Sequence, residues 1–305
     1  MRPKIVLVAR LGILLAIATC TEPQEPTVPR PIGGATADVV GSDPVFVGAG
    51  DIAECDRHSY DTDTLLQGIP GTVFTVGDNA YPNGADADYT NCYDPSWGRE
   101  KARTYPAVGN HEYYLGNANG YFNYFGTSFG YPNGYYSYNL GAWHIVVLNS
   151  NTSFVSTAAG SPQETWLKAD LAATTKQCVL AMWHSPRFYS TTATSFAPSA
   201  SVKPFWDDLY AAGAELIVNG HDHDYERFAP QDPSGKEVRP TGIRELVVGT
   251  GGAVLRQFHT LAANSEFRLA GSWGVLRLTL HPANYDWEFL PVDGAIADSG
   301  SALCH

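Results

Sequence analysis

The sequence predicts an α/β protein in which polar, metal-ligating side chains follow the carboxyl ends of buried strands. Short apolar runs of strand length alternate with segments of helical pattern, which is typical of a largely parallel sheet. Several of these runs end directly at Asp, Asn or His. The carboxyl ends of parallel strands are where open α/β sheets bind their ligands, so the same edge is the expected functional site.

The first two strands and the helix between them form a predicted βαβ unit. Residues 44–50 are an apolar run that ends at Asp51, and residues 72–76 are a second run that leads into Asp78. Asp61 is the predicted N-cap of the helix between them. Because neighbouring parallel strands end at the same edge of a sheet, we expect the two acids at adjacent strand tips.

The middle of the chain adds a third polar strand end, at Asn110 and His111. Residues 113–136 are rich in Tyr, Phe, Asn and Gly, which predicts a long loop that covers the site. The other elements predicted here are a short helix at 97–103, a strand at 105–108 and a hairpin at 136–141 and 143–148.

In the second half, two helices alternate with further buried strands. Ser161 and Glu164 form a capping-box pattern that predicts a helix start. Ser201 is the predicted N-cap of another helix, which Gly213 ends. The strands predicted here are residues 178–183, 214–218, 244–248, 275–280 and 285–290.

Five strand ends carry side chains of the types that bind metal ions. Each of these residues alone could be a helix cap or a turn residue. Their occurrence at successive strand ends is improbable by chance, so together they indicate a metal site. They are Asp51; Asp78 with Tyr81; Asn110 with His111; His184; and His221 with His223.

The ligand types suggest two ions, bridged by the two oxygens of Asp78. A hard trivalent ion favours Asp51, the Tyr81 phenolate and one His, whereas a softer divalent ion favours Asn110 and two His. Two ions a few ångströms apart are the arrangement with which hydrolases clamp an in-line displacement at phosphorus.

The charge of the chain bears on its partners. The formal net charge is −12 and no basic run occurs, which argues against a nucleic-acid-binding domain. An acidic chain can still bind a small phosphorylated substrate, because bound metal ions would be the largest positive charges in the site. The oligomeric state stays open.

The N-terminus has the pattern of an export signal over residues 1–20, with Arg2 and Lys4 before an apolar stretch. Residues 15–20 also resemble a bacterial lipoprotein cleavage box, although Thr19 departs from the usual small residue there. Two alternatives therefore stay open: a secreted or periplasmic protein, or one anchored at the bacterial cell surface through a lipidated Cys20. Residues 21–42 predict a flexible linker, and residues 43–305 one catalytic domain.

Four cysteines remain beyond Cys20, and an even number in an exported chain suggests two disulfides. Three pairings are possible. Cys55 and Cys92 both lie in loops that follow early strands, which favours the pairs Cys55–Cys92 and Cys178–Cys304.

The polar blocks resemble, in order, the five motifs of the metallophosphoesterase (calcineurin-like) superfamily. Tyr81 and the run at 223–227 specifically resemble purple acid phosphatases, and the closing residues 298–305 resemble bacterial exported members. The resemblance covers about residues 45–248. It implies a four-layer α/β/β/α sandwich and a phosphohydrolase that cleaves phosphomonoesters by attack of a metal-activated hydroxide.

The resemblance also implies a role for each matching residue. His111 would contact the phosphate and protonate the leaving group, while Glu112 and Asp224 would support the ligands without binding the ions. An Fe(III) ion would be held by Asp51, Asp78, Tyr81 and His223. A Zn, Mn or Fe(II) ion would be held by Asp78, Asn110, His184 and His221.

One departure from the family concerns substrate binding. Plant purple acid phosphatases have a His pair shortly after the block that contains His184, whereas residues 187–192 here hold no His. Arg187, Asp56 and His58 are candidate substrate contacts, with a surface salt bridge or a solvated loop as the alternative for each. A phosphodiesterase or nucleotidase is the alternative function, followed by a non-catalytic surface binding protein with a vestigial metal site.

Overall fold

The computed structural model describes residues 43–190 and 199–305. The predicted export signal at 1–20, the predicted linker at 21–42 and Cys20 lie outside the described residues. Among the residues it does describe, no helix has the length and apolar character needed to cross a membrane.

Thirteen strands carry the architecture in the described ranges. In chain order they are β1 Val45–Ala49, β2 Thr72–Val76, β3 Thr104–Ala107, β4 Tyr136–Leu140, β5 Trp143–Val147, β6 Cys178–Met182, β7 Leu216–Asn219, β8 Tyr225–Phe228, β9 Arg244–Val248, β10 Ser265–Leu269, β11 Gly274–Leu280, β12 Asn284–Pro291 and β13 Asp298–Leu303.

The helices lie mostly in the connections between these strands. The α-helices are α1 His58–Gln67, α2 Asp86–Asp88, α3 Asn119–Phe125, α4 Pro162–Ala173 and α5 Lys203–Ala211. A π-helical turn spans Tyr89–Tyr93, and 3₁₀ segments span Trp97–Arg103 and His111–Tyr113.

The strands form two mixed sheets. The first has the order β13-β12-β11-β1-β2-β3, and the second has the order β10-β8-β9-β7-β6-β5-β4. In the first sheet β1, β2 and β3 run parallel, and in the second β5, β6, β7 and β9 do. The carboxyl ends of each parallel set therefore meet at one edge, as the sequence predicts for the βαβ unit.

The sheets face each other across a shared apolar core, and helices cover their outer faces. Leu180 and Met182 of β6 belong to the same buried cluster as Leu276 and Leu278 of β11. The other face of the second sheet packs on α4 and α5 through a second cluster that includes Trp206. Helix α1 contacts β11 of the first sheet. The four-layer α/β/β/α sandwich is therefore confirmed.

Two predicted helix starts are wrong. Helix α1 begins at His58, so Asp61 lies in its first turn and pairs with Arg57 at 3.2 Å. The Asp56 carboxylate instead accepts the His58 backbone N–H at 3.0 Å. Helix α5 has Val202 at its N-cap rather than Ser201. The hydroxyl of Ser201 lies 2.9 Å from that of Ser199, which keeps it in the loop.

The region at 113–136 is not the continuous loop that the sequence predicts. Helix α3 lies within it and buries Tyr121, Phe122 and Phe125. Its aromatic residues pack on one another, with Tyr121 and Phe125 ring centroids 5.2 Å apart. Aromatic packing therefore orders a segment whose Gly and Asn content alone predicts irregular structure.

Both favoured disulfides are confirmed. Cys55–Cys92 links the loop after β1 to the π-helical turn, with Cα atoms 4.5 Å apart. Cys178–Cys304 links the start of β6 to the C-terminal residues, with Cα atoms 5.6 Å apart. The first bridge lies beside the strand tips, and the second closes a separation of 126 residues.

Candidate metal centre

The strand tips that carry the candidate ligands have an unusual backbone. Asp51, Asp78 and His221 lie just beyond strands and have φ angles of 58°, 49° and 72°. Non-glycine residues rarely adopt positive φ, because the side chain then crowds the backbone. Strain of this kind concentrates at functional sites, and here it bends three side chains back towards one crevice.

Two glycines, Gly109 and Gly220, allow the strand tips to approach each other closely. A Cβ at Gly109 would lie 2.2 Å from the Asp78 backbone nitrogen and Oδ1, and one at Gly220 would lie 2.5 Å from Asp51 Oδ2. Any larger residue would push the tips apart. The glycines before Asn110 and His221 thus set the spacing of the site.

A first group of donor atoms surrounds the Tyr81 hydroxyl. This oxygen lies 3.1 Å from Asp51 Oδ1, 3.2 Å from Asp78 Oδ2 and 3.3 Å from His223 Nε2. His223 Nε2 is also 3.2 Å from Asp51 Oδ1. Two carboxylates, a phenol and an imidazole therefore point at one small volume.

A second group of donor atoms surrounds His184 Nε2. This nitrogen lies 3.0 Å from Asn110 Oδ1, 3.2 Å from Asp78 Oδ2 and 3.2 Å from His221 Nδ1. Asp78, His184 and His221 also satisfy the spacing of a three-ligand metal site, with their ligand atoms within 4.8 Å of one another. The two groups share Asp78 Oδ2, and they contain His223 and His221 respectively.

These donor atoms fit two metal ions. Four ligands about 2.1 Å from one ion lie about 3.0 to 3.4 Å apart. The distances from Tyr81 Oη and from His184 Nε2 to the other donors of their groups, 3.0 to 3.3 Å, fall in this range. When His223 is neutral, the single hydroxyl hydrogen of Tyr81 is left to face three acceptors in the first group. Buried lone pairs that converge in this way call for cations at their common points.

Backbone carbonyls fix the orientation of two of the imidazoles. Val76 O lies 2.8 Å from His184 Nδ1, and Val254 O lies 2.7 Å from His223 Nδ1. A carbonyl oxygen only accepts, so each Nδ1 carries a hydrogen, and Nε2 is the nitrogen whose lone pair the neutral ring offers for a ligand bond. Such partners are how proteins hold a metal-binding histidine in place.

The two oxygens of Asp78 have different surroundings. Oδ2 lies 3.2 Å from both Tyr81 Oη and His184 Nε2, whereas Oδ1 accepts the His111 backbone N–H at 2.8 Å. The sequence predicts a bridge through both oxygens. The geometry instead presents Oδ2 alone to the two donor groups.

The electrostatics of the centre correspond to a site built for positive charge. Burial acts to lower the pKa of His184, but the carboxylates of Asp78 and Asp51 raise it to about 10. Burial, followed by the same two carboxylates, raises the pKa of the Tyr81 phenol above its ordinary value. Without a cation the site therefore holds protons on these groups, and a highly charged ion is needed to displace the phenol proton.

His111 lies at the edge of this centre. Its Nδ1 donates to Pro82 O at 2.6 Å, which leaves Nε2 to face the centre at 3.7 Å from Asp78 Oδ2. Its ring is tilted against that of Tyr81 with centroids 4.3 Å apart, and 22% of its side chain is exposed. The ring is thus held in place while one nitrogen stays accessible.

Glu112 lies behind the ligands and ties two strand tips together. Its buried carboxylate accepts backbone N–H groups from Gly109 at 2.7 Å, Asn79 at 2.8 Å and Asp78 at 3.1 Å. The hydroxyl of Tyr89 donates to it at 3.2 Å. Glu112 thereby ties Asp78 and Asn79 to Gly109, the residue before Asn110, without joining the donor groups.

Asp224 supports the site through its backbone. Its N–H donates to Asp222 O at 2.8 Å, and its carbonyl accepts the Gly249 N–H at 3.1 Å. Its side-chain Oδ1 is buried and has no hydrogen-bond partner among the described residues. Burial, and then the neighbouring Asp222 carboxylate, raises its pKa above the ordinary value.

A cavity of about 550 Å³ opens onto the centre. Three of its charged lining residues, Glu54, Asp88 and Arg256, are not among the residues that the sequence singles out. No local motif marks them, because they come from two loops and the end of helix α2, three separate parts of the chain that only the fold brings together. The cavity is lined by Glu54, Cys55, Tyr81, Pro82, Asp88, Cys92, His111, His223 and Arg256.

The three predicted substrate contacts do not line this cavity. Asp56 holds the start of α1, and the His58 ring stacks on Trp273 with centroids 3.5 Å apart. Arg187 is buried, and its Nε donates to Pro233 O at 2.9 Å while its backbone N–H donates to Glu245. Each of the three has local structural partners.

Fold and site together define the class of metallophosphoesterases. Two facing sheets meet with carboxylate, amide and imidazole side chains at their strand tips. Residues 39–225 match the model of the calcineurin-like phosphoesterase family. The match covers more than half of the chain, which therefore belongs to this family.

Curated relatives include purple acid phosphatases. The chain is 29% identical over 230 residues to Purple acid phosphatase 15 of Arabidopsis thaliana, covering 63% of this chain and 42% of the relative. It is 29% identical over 178 residues to Acid phosphatase A of Cryphonectria parasitica, covering 50% of this chain and 35% of the relative. The chain thus spans less than half the length of these relatives.

Solved structures show the same fold. Purple acid phosphatase PPD1 from yellow lupin superposes with a TM-score of 0.66 at 20% identity, covering 85% of this chain and 53% of that one. GAP50, described as the anchor in the inner membrane complex of Plasmodium, superposes with a TM-score of 0.64 at 13% identity, covering 87% of this chain and 90% of that one. The fold therefore occurs in proteins with different described roles.

Proposed function

We propose that this chain is an exported phosphatase that uses two metal ions to hydrolyse small phosphomonoesters. The observation that carries the proposal is the pair of four-atom donor groups that share Asp78 Oδ2. A protein that had kept only the scaffold would have no reason to retain three strained ligand positions and buried, converging lone pairs.

The donor chemistry supports different ions in the two groups. Asp51, Asp78, Tyr81 and His223 offer three oxygens and one nitrogen, which suits a hard ferric ion. Asp78, Asn110, His184 and His221 offer two oxygens and two nitrogens, which suits Zn, Mn or Fe(II). When bound, two such ions supply Lewis-acid polarisation of the phosphoryl group and generate a nucleophile from water near neutral pH.

His111 is the proposed proton donor to the leaving group. Its Nδ1 hydrogen is committed to Pro82 O, so the proton that moves is the one on Nε2. That nitrogen faces the centre beside Asp78 and lines the cavity. An ester oxygen bound there would receive the proton as its bond to phosphorus breaks, which is general acid catalysis by a positioned imidazole.

Export is the proposed location, and the two disulfides support it. Disulfides persist in oxidising compartments outside the cytosol. Attachment through a lipidated Cys20 is tested by expressing the full chain and its Cys20→Ser variant in a bacterial host. If Cys20 is the anchor, the variant leaves the membrane fraction. If the wild-type chain is itself released, it is an ordinary secreted protein.

The function is tested with a substrate panel on metal-defined protein across pH. We expect aryl monophosphates to be cleaved faster than bis-aryl phosphates. The His111→Asn variant should lose more rate with poor leaving groups than with activated ones, because only the poor ones need the proton. A strong preference for bis-aryl phosphates would indicate a phosphodiesterase or nucleotidase. Natively exported protein that carries no ion would instead indicate a binding protein.

A further inference from the structure

Arg256 is the one Lys or Arg among the described residues that line the cavity in front of the metal centre. The other ionisable side chains in the lining include the carboxylates of Glu54 and Asp88 and the imidazoles of His111 and His223. The chain as a whole carries a formal net charge of −12. A doubly charged phosphate ester entering this cavity thus meets carboxylates on the wall and a single permanent cation.

The backbone of Arg256 is fixed to the ligand loop. Its N–H donates to the carbonyl of His223 at 2.9 Å, so the residue keeps its place relative to the first donor group. Burial of that loop is extensive, since Asp222, His223 and Asp224 are all buried. The base of the arginine side chain is therefore tied to the loop that carries His223.

The guanidinium group, in contrast, is loosely held. Within the described residues its contacts are His221 O at 3.5 Å and Asp222 Oδ1 at 3.8 Å, both at the upper limit for such interactions. The side chain is 44% exposed. A guanidinium has five N–H donors in a planar fork that matches phosphate oxygens, so the group can engage a ligand without breaking a strong contact.

We propose that Arg256 is a substrate-binding residue that donates to a non-bridging oxygen of the phosphoryl group. The inference rests on the proposed phosphatase function and deepens it, because it selects the substrate class. A phosphomonoester dianion has three non-bridging oxygens and two charges, whereas a diester has two such oxygens and one charge. An arginine whose backbone is anchored beside the centre and whose guanidinium is free to meet the ligand therefore favours monoesters over diesters. It also provides a cation for the substrate in a chain that lacks the His pair of plant purple acid phosphatases, since residues 187–192 hold no His.

The competing role for Arg256 is structural neutralisation of Asp222. Asp222 Oδ2 is buried and has no hydrogen-bond partner among the described residues, and its other oxygen faces Arg256. If that pairing were the purpose of the arginine, its removal would disturb the loop that carries His221 and His223. Metal content and thermal stability would then fall together with activity, and equally for every substrate.

The test compares wild type with Arg256→Gln, Arg256→Lys and the control Arg239→Gln. Arg239 is 51% exposed, pairs with Glu237 and Glu266 and does not line the cavity, so its replacement removes the same charge elsewhere. Inorganic phosphate is titrated into each metal-loaded protein by calorimetry. Kinetic constants are then measured for p-nitrophenyl phosphate and bis(p-nitrophenyl) phosphate, with bound metal and Tm for each variant.

Loss of one charged hydrogen bond to phosphate should weaken phosphate binding by roughly 10- to 100-fold in Arg256→Gln. kcat/KM for the monoester should fall by a similar factor and that for the diester by less, while bound metal and Tm stay at wild-type values. Arg256→Lys should recover part of the loss. Unchanged phosphate affinity, or equal losses accompanied by lost metal, overturns the inference. Phosphate binding needs no turnover, so a wild-type protein that cleaved neither ester would contradict the proposed function alone.

Discussion

The carboxylate of Glu112 provides a sensitive test of how the metal centre is built. In the variant Glu112→Gln one acceptor oxygen becomes an amide that can only donate. If that oxygen is Oε2, the N–H groups of Gly109 and Asp78 lose their partner, at present 2.7 and 3.1 Å away. If it is Oε1, those of Asn79 and Ala80 lose theirs, at 2.8 and 3.4 Å. At least two buried donors are therefore orphaned in either rotamer.

The expected loss follows from these contacts. A buried hydrogen bond to a charged group contributes about 1.5–3 kcal/mol, so two lost bonds cost about 3–6 kcal/mol. Part of this is offset because a neutral amide is less costly to bury than a carboxylate. A net destabilisation of about 3 kcal/mol should lower Tm by roughly 6–12 °C in a domain of this size. Because the tips of β2 and β3 both loosen, affinity for the metal ions should fall as well, by about 10-fold or more.

The assay is calorimetric unfolding of the metal-depleted and metal-loaded forms, combined with metal titration. Glu237→Gln is the control, because it removes the same charge from a side chain that is 47% exposed. A Glu112→Gln protein with wild-type Tm and wild-type metal affinity would refute this role of the Glu112 carboxylate. Burial and the nearby Asp78 carboxylate raise the pKa of Glu112, and such a result would mean that this residue is held neutral in the fold.

Three further predictions concern other positions. In iron-loaded protein, Tyr81→Phe should abolish the visible ferric–tyrosinate absorption while Tyr114→Phe retains it; a band that persists without Tyr81 would assign the phenolate elsewhere. Tyr114→Phe removes the hydrogen bond that Asn110 Nδ2 donates at 3.1 Å, so affinity for the divalent ion should fall by about 10-fold. Tyr131→Phe, at an exposed tyrosine, is the control, and equal affinities in the two variants would contradict the prediction. Burial raises the pKa of Glu215 from its ordinary 4.5 to about 7, so the folded state binds this proton more tightly than the unfolded state does. Its contribution to stability is therefore complete below about pH 4.5 and is lost as pH rises through 7. Urea denaturation of the oxidised protein should show Glu215→Gln gaining about 3 kcal/mol relative to wild type between pH 4.5 and 8, and a constant difference across that range would exclude this coupling.

The alternation of buried strands and helices could be predicted from the sequence because it depends on local apolar periodicity. The strands it misses are β8, β10 and β13. These strands carry polar or charged residues such as Glu226, Arg227 and Glu266. Glu226 of β8 pairs with Ser265 of β10, and Arg227 of β8 pairs with Glu266 of β10. Arg227 donates to Asp298 at 2.8 Å, which is a pairing across 71 positions of the chain. A local pattern cannot show a strand that is held by such distant contacts.

The sequence by itself determined which residue types follow the strands, the family that this order of motifs matches and the favoured disulfide pairing. Each depends on residues that are near one another in the chain or on their order. The tertiary structure alone decided which oxygen of Asp78 faces both donor groups, that three candidate ligands adopt positive φ, and that Arg256 shares a cavity with His111. Those features arise where loops that are distant from one another in the sequence converge, and this convergence is set by the packing of two whole sheets.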